Sequence, residues 1–396
     1  MSGPLEGLKV LDLSRFIAGP YCGMMLADMG ADVVKVERPG RGEDTRTIDP
    51  KIEGESLYVM VFNRNKRGMT LDFRNSEAQE LLRSLVVKAD VLIENFRPGT
   101  MEKMGCGWDE LKAINPRLVM IRISGFGQDG PYAQRPCFDV IAQAMSGLME
   151  MTGEPDGPPV MAGSFIVDFV TALYATIAAL GAIHAREKTG RGQLIDSCLL
   201  ESAVSLLMTA IPEYVLLGRE TTRRGTRDRY SAPANNFQAK DGHWLHLATG
   251  NDTLFERFCN AAGMPDLLDD PRFNSHAIRM THFKEIEEIV ARWVADLPAE
   301  EVVRQMEKAG VPCAKVATIA EVVANPQLQH RGYIVELEQA KMGRLPMQGL
   351  PFNLSDTPCE IRRAAPSIGQ HTREILKDWL SLSDSEIERL VAESAV

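Results

Sequence analysis

An α/β fold is predicted for this chain, a large Rossmann-like parallel-sheet domain plus a smaller α+β domain, on three observations. The first third alternates short β-rich runs with amphipathic segments, an order that builds parallel strands covered by helices on both faces. From about Thr222 the texture changes to a polar, arginine-rich stretch followed by charged amphipathic segments. The 396 residues, 44% of them hydrophobic, suffice for two cores rather than one. The expected division is a large domain over 1–221, a small one over 222–335, and a C-terminal segment, 336–396, that returns to the large domain.

Leu8–Leu13 reads as the first strand, Pro20–Met29 as a helix with proline near its first turn, and Ala31–Glu37 as the second strand. Ala89–Glu94 and Leu118–Ser124 repeat the rhythm, each after a helical stretch. A long helix from about Phe169 to Arg186 closes on a basic last turn and then Gly190, as helix C-termini prefer. A further helix is expected through Leu199–Leu217. In the small domain Trp244–Ala248 is strand-like, while Lys284–Leu297 and Ala299–Ala309 are amphipathic helices. The tail from about 345 holds a turn-rich segment and a last helix, Thr372–Leu382.

Composition narrows the partners. A net charge of −10 leaves no basic surface for nucleic acid, although the early basic run Arg38, Arg41, Arg46, Arg64, Lys66, Arg67 and Arg74 suits a small anion. The seven cysteines are odd in number and never at Cys-x-x-Cys spacing, which points to free buried thiols rather than a disulfide framework or a zinc site. His243 and His246, three apart on a strand, face opposite sides and cannot clasp one metal. Phe165–Ile183 is the longest apolar stretch, but it contains Asp168 and Thr171, so it reads as a buried helix and no membrane partner is expected. The first residues lack a basic segment followed by a long apolar one, which makes a cytoplasmic location the default.

The opening strand, turn, helix and second strand ending in Glu37 have the layout of a dinucleotide site, yet the turn Arg15–Gly23 lacks G-x-G-x-x-G. What remains is a crevice at the strand ends, where parallel sheets bind ligands. Asp168 lies among apolar neighbours where the long helix begins. It is either that helix's N-cap or a carboxylate held ionised by helix-terminal N–H groups and able to act as a nucleophile; position alone does not choose.

The strings Leu5-Glu6-Gly7-Leu8-Lys9-Val10-Leu11-Asp12-Leu13, Ala18-Gly19-Pro20, Gly30–Pro39 and Asp44-Thr45-Arg46 resemble the N-terminal signature of family III CoA-transferases, which include formyl-CoA and carnitine CoA-transferases. The resemblance continues through Asn63–Gly68, Glu94–Gly99, Gly125–Tyr132 and Thr189–Gln193 to Gly310-Val311-Pro312 and Ile368–Thr372, essentially the whole chain. It implies an interlocked homodimer, to which the stretches near 186–230 and 330–350 would lend themselves. It also implies a CoA thioester as substrate, no tightly bound cofactor, and the nucleophile at Asp168. By the same resemblance Arg38 contacts the CoA phosphates, with Leu71, Arg74, Asn95, Phe96, Lys103 and Met104 around the adenine and pantetheine portions; the planar, permanently charged arginine fork suits phosphate.

The implied chemistry is attack of Asp168 on an acyl-CoA, a mixed anhydride, an aspartyl-CoA thioester and resolution by an acceptor acid. Phe138 and Gly250 join the expected substrate contacts, Gly250 on a loop of the small domain; formyl-CoA transferases carry a longer glycine run there. Arg15, Arg46 and Gly225-Thr226-Arg227 would hold a second carboxylate, favouring a dicarboxylate such as succinate, glutarate or a methyl- or hydroxy-derivative. Two alternatives stand beside this reading. An α-methylacyl-CoA racemase-like enzyme would need a histidine where Cys137 and Phe138 precede Asp139. A non-catalytic CoA-binding protein would have no use for Asp168.

Overall fold

The computed structural model describes residues 3–339 and 342–396. The chain divides into two compact units, one of Met1–Leu148, Met161–Ile211 and Gln327–Val396, the other of Met149–Val160 and Pro212–Pro326. The sequence texture alone puts these boundaries at 221/222 and 335/336. It also leaves residues 149–160 with the large domain; in the structure Gly225 N–H donates to Gly153 O at 2.8 Å and Arg223 pairs with Glu150 at 2.6 Å, tying that segment to the second unit.

The first unit is built on six parallel strands: β1 Lys9–Asp12, β2 Asp32–Glu37, β3 Arg67–Thr70, β4 Val91–Glu94, β5 Val119–Ser124 and β6 Leu194–Cys198. Their order in space is β3-β2-β1-β4-β5-β6. The order reverses between β1 and β4, the switch point at whose carboxyl ends parallel sheets carry their ligand crevice. Strand side chains alternate between the two faces. Leu11, Val34, Val36, Leu92 and Met120 pack on one face under helices Ser76–Lys88 and Thr372–Leu380. Val10, Val33, Val91, Ile93 and Ile121 pack on the other under Ala18–Asp28 and Ile166–Thr189.

The helix Ile166–Thr189 extends past both of its expected ends and stops at Gly190, whose φ of 70° is the left-handed conformation glycine tolerates best. Ala172, Ala175, Ala179 and Ala182 form its buried stripe, and their small side chains let it lie close to the sheet layer. It is long and apolar enough by length and composition to cross a membrane. The helix expected to be buried is in fact one-sided, with Leu173, Tyr174 and Ile177 exposed at 39%, 43% and 63%. The expected helix Leu199–Leu217 is two helices, Leu199–Val204 and Ala210–Leu217, separated by Met208 at φ 51°.

The second unit has a three-stranded antiparallel sheet, β7 Ala234–Gln238, β8 Trp244–Ala248 and β9 Cys313–Lys315, with β8 central. Helices Asp252–Ala261, Phe283–Ala295 and Ala299–Ala309 enclose a core of Phe237, Leu245, Phe255, Phe258 and Val290. In the first unit's C-terminal part, the stretch near 330–350 forms a hairpin, β10 Ile334–Gln339 and β11 Gly343–Gln348. The tail adds a helix that the sequence reading lacks, Asp384–Ala392, started by a Ser383/Glu386 capping box.

Candidate active site

Asp168 is the third residue of its helix, and the cap at that end comes from elsewhere: Phe165, at the N-cap position, makes no side-chain cap. Asp139, 2% exposed, accepts the N–H groups of Val167 and Asp168 at 2.7 and 3.0 Å. Gln143 donates to the other Asp139 oxygen at 2.5 Å, while its own carbonyl accepts Ala162 N–H at 2.9 Å. The helix-terminal donors are thereby satisfied, and the Asp168 carboxylate accepts no hydrogen bond and meets no cation among the described residues. Burial first, and the Asp139 charge second, push its carboxyl up to about 7. Phe169 packs edge-on against Tyr21 at 4.9 Å and pins the turn. Cys137, beside this pair, is pushed up to about 11 by burial and then by Asp168, so it is protonated at neutral pH and a poor base. A half-buried carboxylate with its own hydrogen-bonding capacity unspent is suited to attack an electrophilic carbonyl.

The crevice between β1 and β4 carries the second part of the site. Asn95 accepts Arg15 N–H at 2.8 Å and donates to Arg15 O at 2.7 Å, tying the two strand-end loops together. The Arg15 guanidinium lies 5.3 Å over the Phe96 ring and pairs with Asp44 at 2.9 Å, which Arg38 also reaches at 3.2 Å. Two guanidinium groups on one carboxylate leave a net positive charge, and Arg15 Nε is a buried donor without a partner among the described residues. Phe16, held at φ 65°, stacks edge-on against Phe138 at 5.4 Å. Through that contact the crevice loop meets the segment that ends in Asp139. Gly125 is needed beneath it, because a Cβ there would sit 2.2 Å from Cys137 Cβ.

Residues 5–372 match the model of CoA-transferase family III. The chain belongs to that family. It is 39% identical over 394 residues to the succinyl-CoA–D-citramalate CoA-transferase of Chloroflexus aurantiacus, covering 99% of this chain and 98% of that one. To the succinyl-CoA:glutarate CoA-transferase of Homo sapiens it is 35% identical, covering 99% of this chain and 90% of that protein. Among solved structures, a CAIB/BAIF family protein from Brucella suis superposes with a TM-score of 0.86 at 36% identity, covering 96% of this chain and all of the other. The protein is thus a family III CoA-transferase.

Of that family's expected contacts, Arg38, Asn95 and Phe96 come together at the crevice, and Arg15, expected there as a ligand for a second carboxylate, joins them. Phe73 brings the loop after β3 alongside, its ring centroid 6.5 Å from that of Phe96, and Met104 packs on the same core. Arg74 is exposed and paired with Asp72 at 2.7 Å; Lys103 is exposed on the short helix Thr100–Lys103. Leu71 has no exposed surface, so its side chain can only back the wall. Arg46 corrects the expectation of a carboxylate ligand: its guanidinium is buried and engaged by Glu37 at 2.6 and 2.7 Å and by Pro366 O at 3.0 Å. Arg227 is likewise engaged, by Glu287 at 2.7 Å and by the Phe283 ring at 4.2 Å. Gly250 lies in the second unit, in the exposed loop after β8, with nothing within 4 Å of a Cβ position.

The early basic run is also corrected in part. Arg64, Lys66 and Arg67 are 2%, 0% and 7% exposed and pair with Asp28, Asp12 and Asp32 at 2.7, 2.7 and 2.6 Å. They are internal struts rather than an anion surface. Asp139 was missed as a site residue; its only signal in the sequence is an acid followed four residues on by Gln143, and its partners lie 28 and 29 residues away.

Proposed function

We propose that this transferase moves CoA from succinyl-CoA to a small dicarboxylic acid of the glutarate, malate or citramalate class through a covalent intermediate on Asp168. The observation that carries the reading is the unpartnered, half-buried Asp168 carboxylate in the first turn of a helix whose donors Asp139 has already taken. Relatives of near full-length coverage are named for succinyl-CoA and such acids, with D-citramalate, L-malate and glutarate as their acceptors.

In this mechanism the Asp168 carboxylate adds to the thioester carbonyl and the C–S bond breaks, leaving a succinyl-aspartyl anhydride and CoA thiolate. The thiolate adds to the Asp168 carbonyl and succinate departs, so the enzyme holds an aspartyl-CoA thioester. The acceptor carboxylate expels the thiolate to form a second anhydride, whose acceptor carbonyl the thiolate then attacks, freeing Asp168 and the new acyl-CoA. No proton is gained or lost overall. Arg38 takes the nucleotide phosphates at the crevice, and Arg15, first expected to hold the acceptor's second carboxylate, shares Asp44 with it and so adds its charge to the phosphate site instead. Phe96 and Met104 wall the adenine and pantetheine with Leu71 behind them, Arg74 and Lys103 at the rim and Phe138 over the acyl group. A cytoplasmic homodimer completes the reading; the outward row Leu173, Tyr174 and Ile177 is apolar surface of the kind that subunit interfaces cover.

The test is a panel of mono- and dicarboxylates with succinyl-CoA as donor, read as new acyl-CoA by mass spectrometry. Transfer to dicarboxylates of four to six carbons is expected, and exclusive use of monocarboxylates refutes the substrate class.

A further inference from the structure

Three neighbouring strands of the main sheet end in a buried carboxylate: Asp12 on β1, Glu37 on β2 and Glu94 on β4, exposed at 0%, 3% and 0%. Each accepts a backbone N–H from the loop after it, from Ser14 at 3.0 Å, Glu43 at 2.9 Å and Phe96 at 2.7 Å. Each is also met by an internal cation, Lys66 at 2.7 Å, Arg46 at 2.6 Å and Arg122 at 2.7 Å. These are the loops that carry Arg15, Arg38 and Asn95. Isolated buried charges are costly unless paired, so a repeated carboxylate–cation clamp at the ligand-binding edge of the sheet calls for an explanation beyond packing.

The third clamp reaches furthest. Arg122, 5% exposed on β5, donates Nε to Glu94 and then extends its terminal nitrogens to Glu102 at 2.6 and 3.3 Å. Glu94 holds the Asn95–Phe96 loop, and Glu102 sits on the short helix Thr100–Lys103 that leads to Met104. We propose that Arg122 is a positioning residue for the nucleotide half of CoA, fixing the separation between the Asn95–Phe96 loop and the 100–104 helix without touching the ligand. The inference rests on the reading of those two segments as the CoA-nucleotide site. A rigid, fork-shaped bridge holds both walls before the ligand arrives, which removes the ordering cost from binding.

The test compares succinyl-CoA with succinyl-pantetheine, which has the same thioester and no nucleotide. Glu102→Ala is the first variant, since Glu102 is half-exposed and its loss leaves Arg122 still paired with Glu94. Arg122→Lys is the second, keeping a cation beside Glu94 but losing the fork. For both variants KM for succinyl-CoA is expected to rise about tenfold, with kcat within about twofold and KM for succinyl-pantetheine unchanged. A merely structural role moves both thioesters together, and that result, or no change with either thioester, overturns the inference. A wild-type protein inactive on both thioesters overturns the functional reading and the inference with it.

Discussion

Replacing Asp168 by asparagine removes the charge while keeping the shape, and the surroundings of that carboxyl give the expected sign and rough size of the change in stability. Burial and the Asp139 charge raise the carboxyl from 3.8 to about 7, which at about 1.4 kcal/mol per pKa unit is a penalty of at most about 4 kcal/mol on the ionised folded state. Below 3.8 folded and unfolded chains both hold the proton, and nothing is lost. Between 3.8 and about 7 the folded chain keeps a proton that the unfolded chain has released, so stability falls as pH rises; above about 7 the penalty is complete. Asparagine has no such term. Its stability advantage over aspartate should therefore grow by about 2–3 kcal/mol between pH 5 and pH 8, read from paired urea unfolding curves. An advantage that stays constant with pH, or a variant less stable at pH 8 than at pH 5 relative to wild type, refutes the account of this side chain as a charge held against its preference. That a residue stabilises the fold when its charge is removed is what a site selected for reactivity rather than stability looks like.

The same geometry makes three further outcomes checkable. In Asp139→Asn the cap on the 166–189 helix can persist while the charge beside Asp168 is gone, so the acid limb of kcat/KM, expected near 7 in the wild type, should move to lower pH; an unmoved or raised limb contradicts the coupling. Arg38→Ala should raise KM for succinyl-CoA about tenfold while leaving KM for the acceptor acid in place, measured by steady-state kinetics with each substrate varied in turn. Gly125→Ala drives a methyl to 2.2 Å from Cys137 Cβ, and should destabilise the protein by about 1–3 kcal/mol and slow transfer; an unperturbed melt and rate would show that residues 125 and 137 have room to move apart at no cost.

The parts of the fold that the residues announce are those whose partners are near in sequence or generic. β1, β2, β4 and β5 declare themselves as apolar runs because both faces of a parallel sheet are buried. β3, Arg67–Thr70, does not, since its sequence Arg-Gly-Met-Thr is polar and becomes a strand only through pairing with β2. Arg64, Lys66 and Arg67 look like an anion site for the same reason: the carboxylates that neutralise them lie 36, 54 and 35 residues away, a distance at which composition carries no information. The break at Met208 comes in an apolar run with no glycine or proline at the turn itself. Within the candidate site, motif order singles out Asp168, Arg38, Asn95 and Phe96 as residues to look at, and the structure brings Arg38, Asn95 and Phe96 together around Arg15. What was not legible is which acid caps and which acid is left bare, because Asp139 and Asp168 exchange those roles only once two helices meet.

The most direct measurement is the fate of the Asp168 peptide after brief exposure to succinyl-CoA without acceptor, quenched with hydroxylamine and sequenced by mass spectrometry. A hydroxamate on Asp168 that appears only with the thioester, and is lost when acceptor acid is added first, is the predicted result. Steady turnover with an unmodified Asp168, or with the label on another side chain, contradicts a covalent path through this carboxylate.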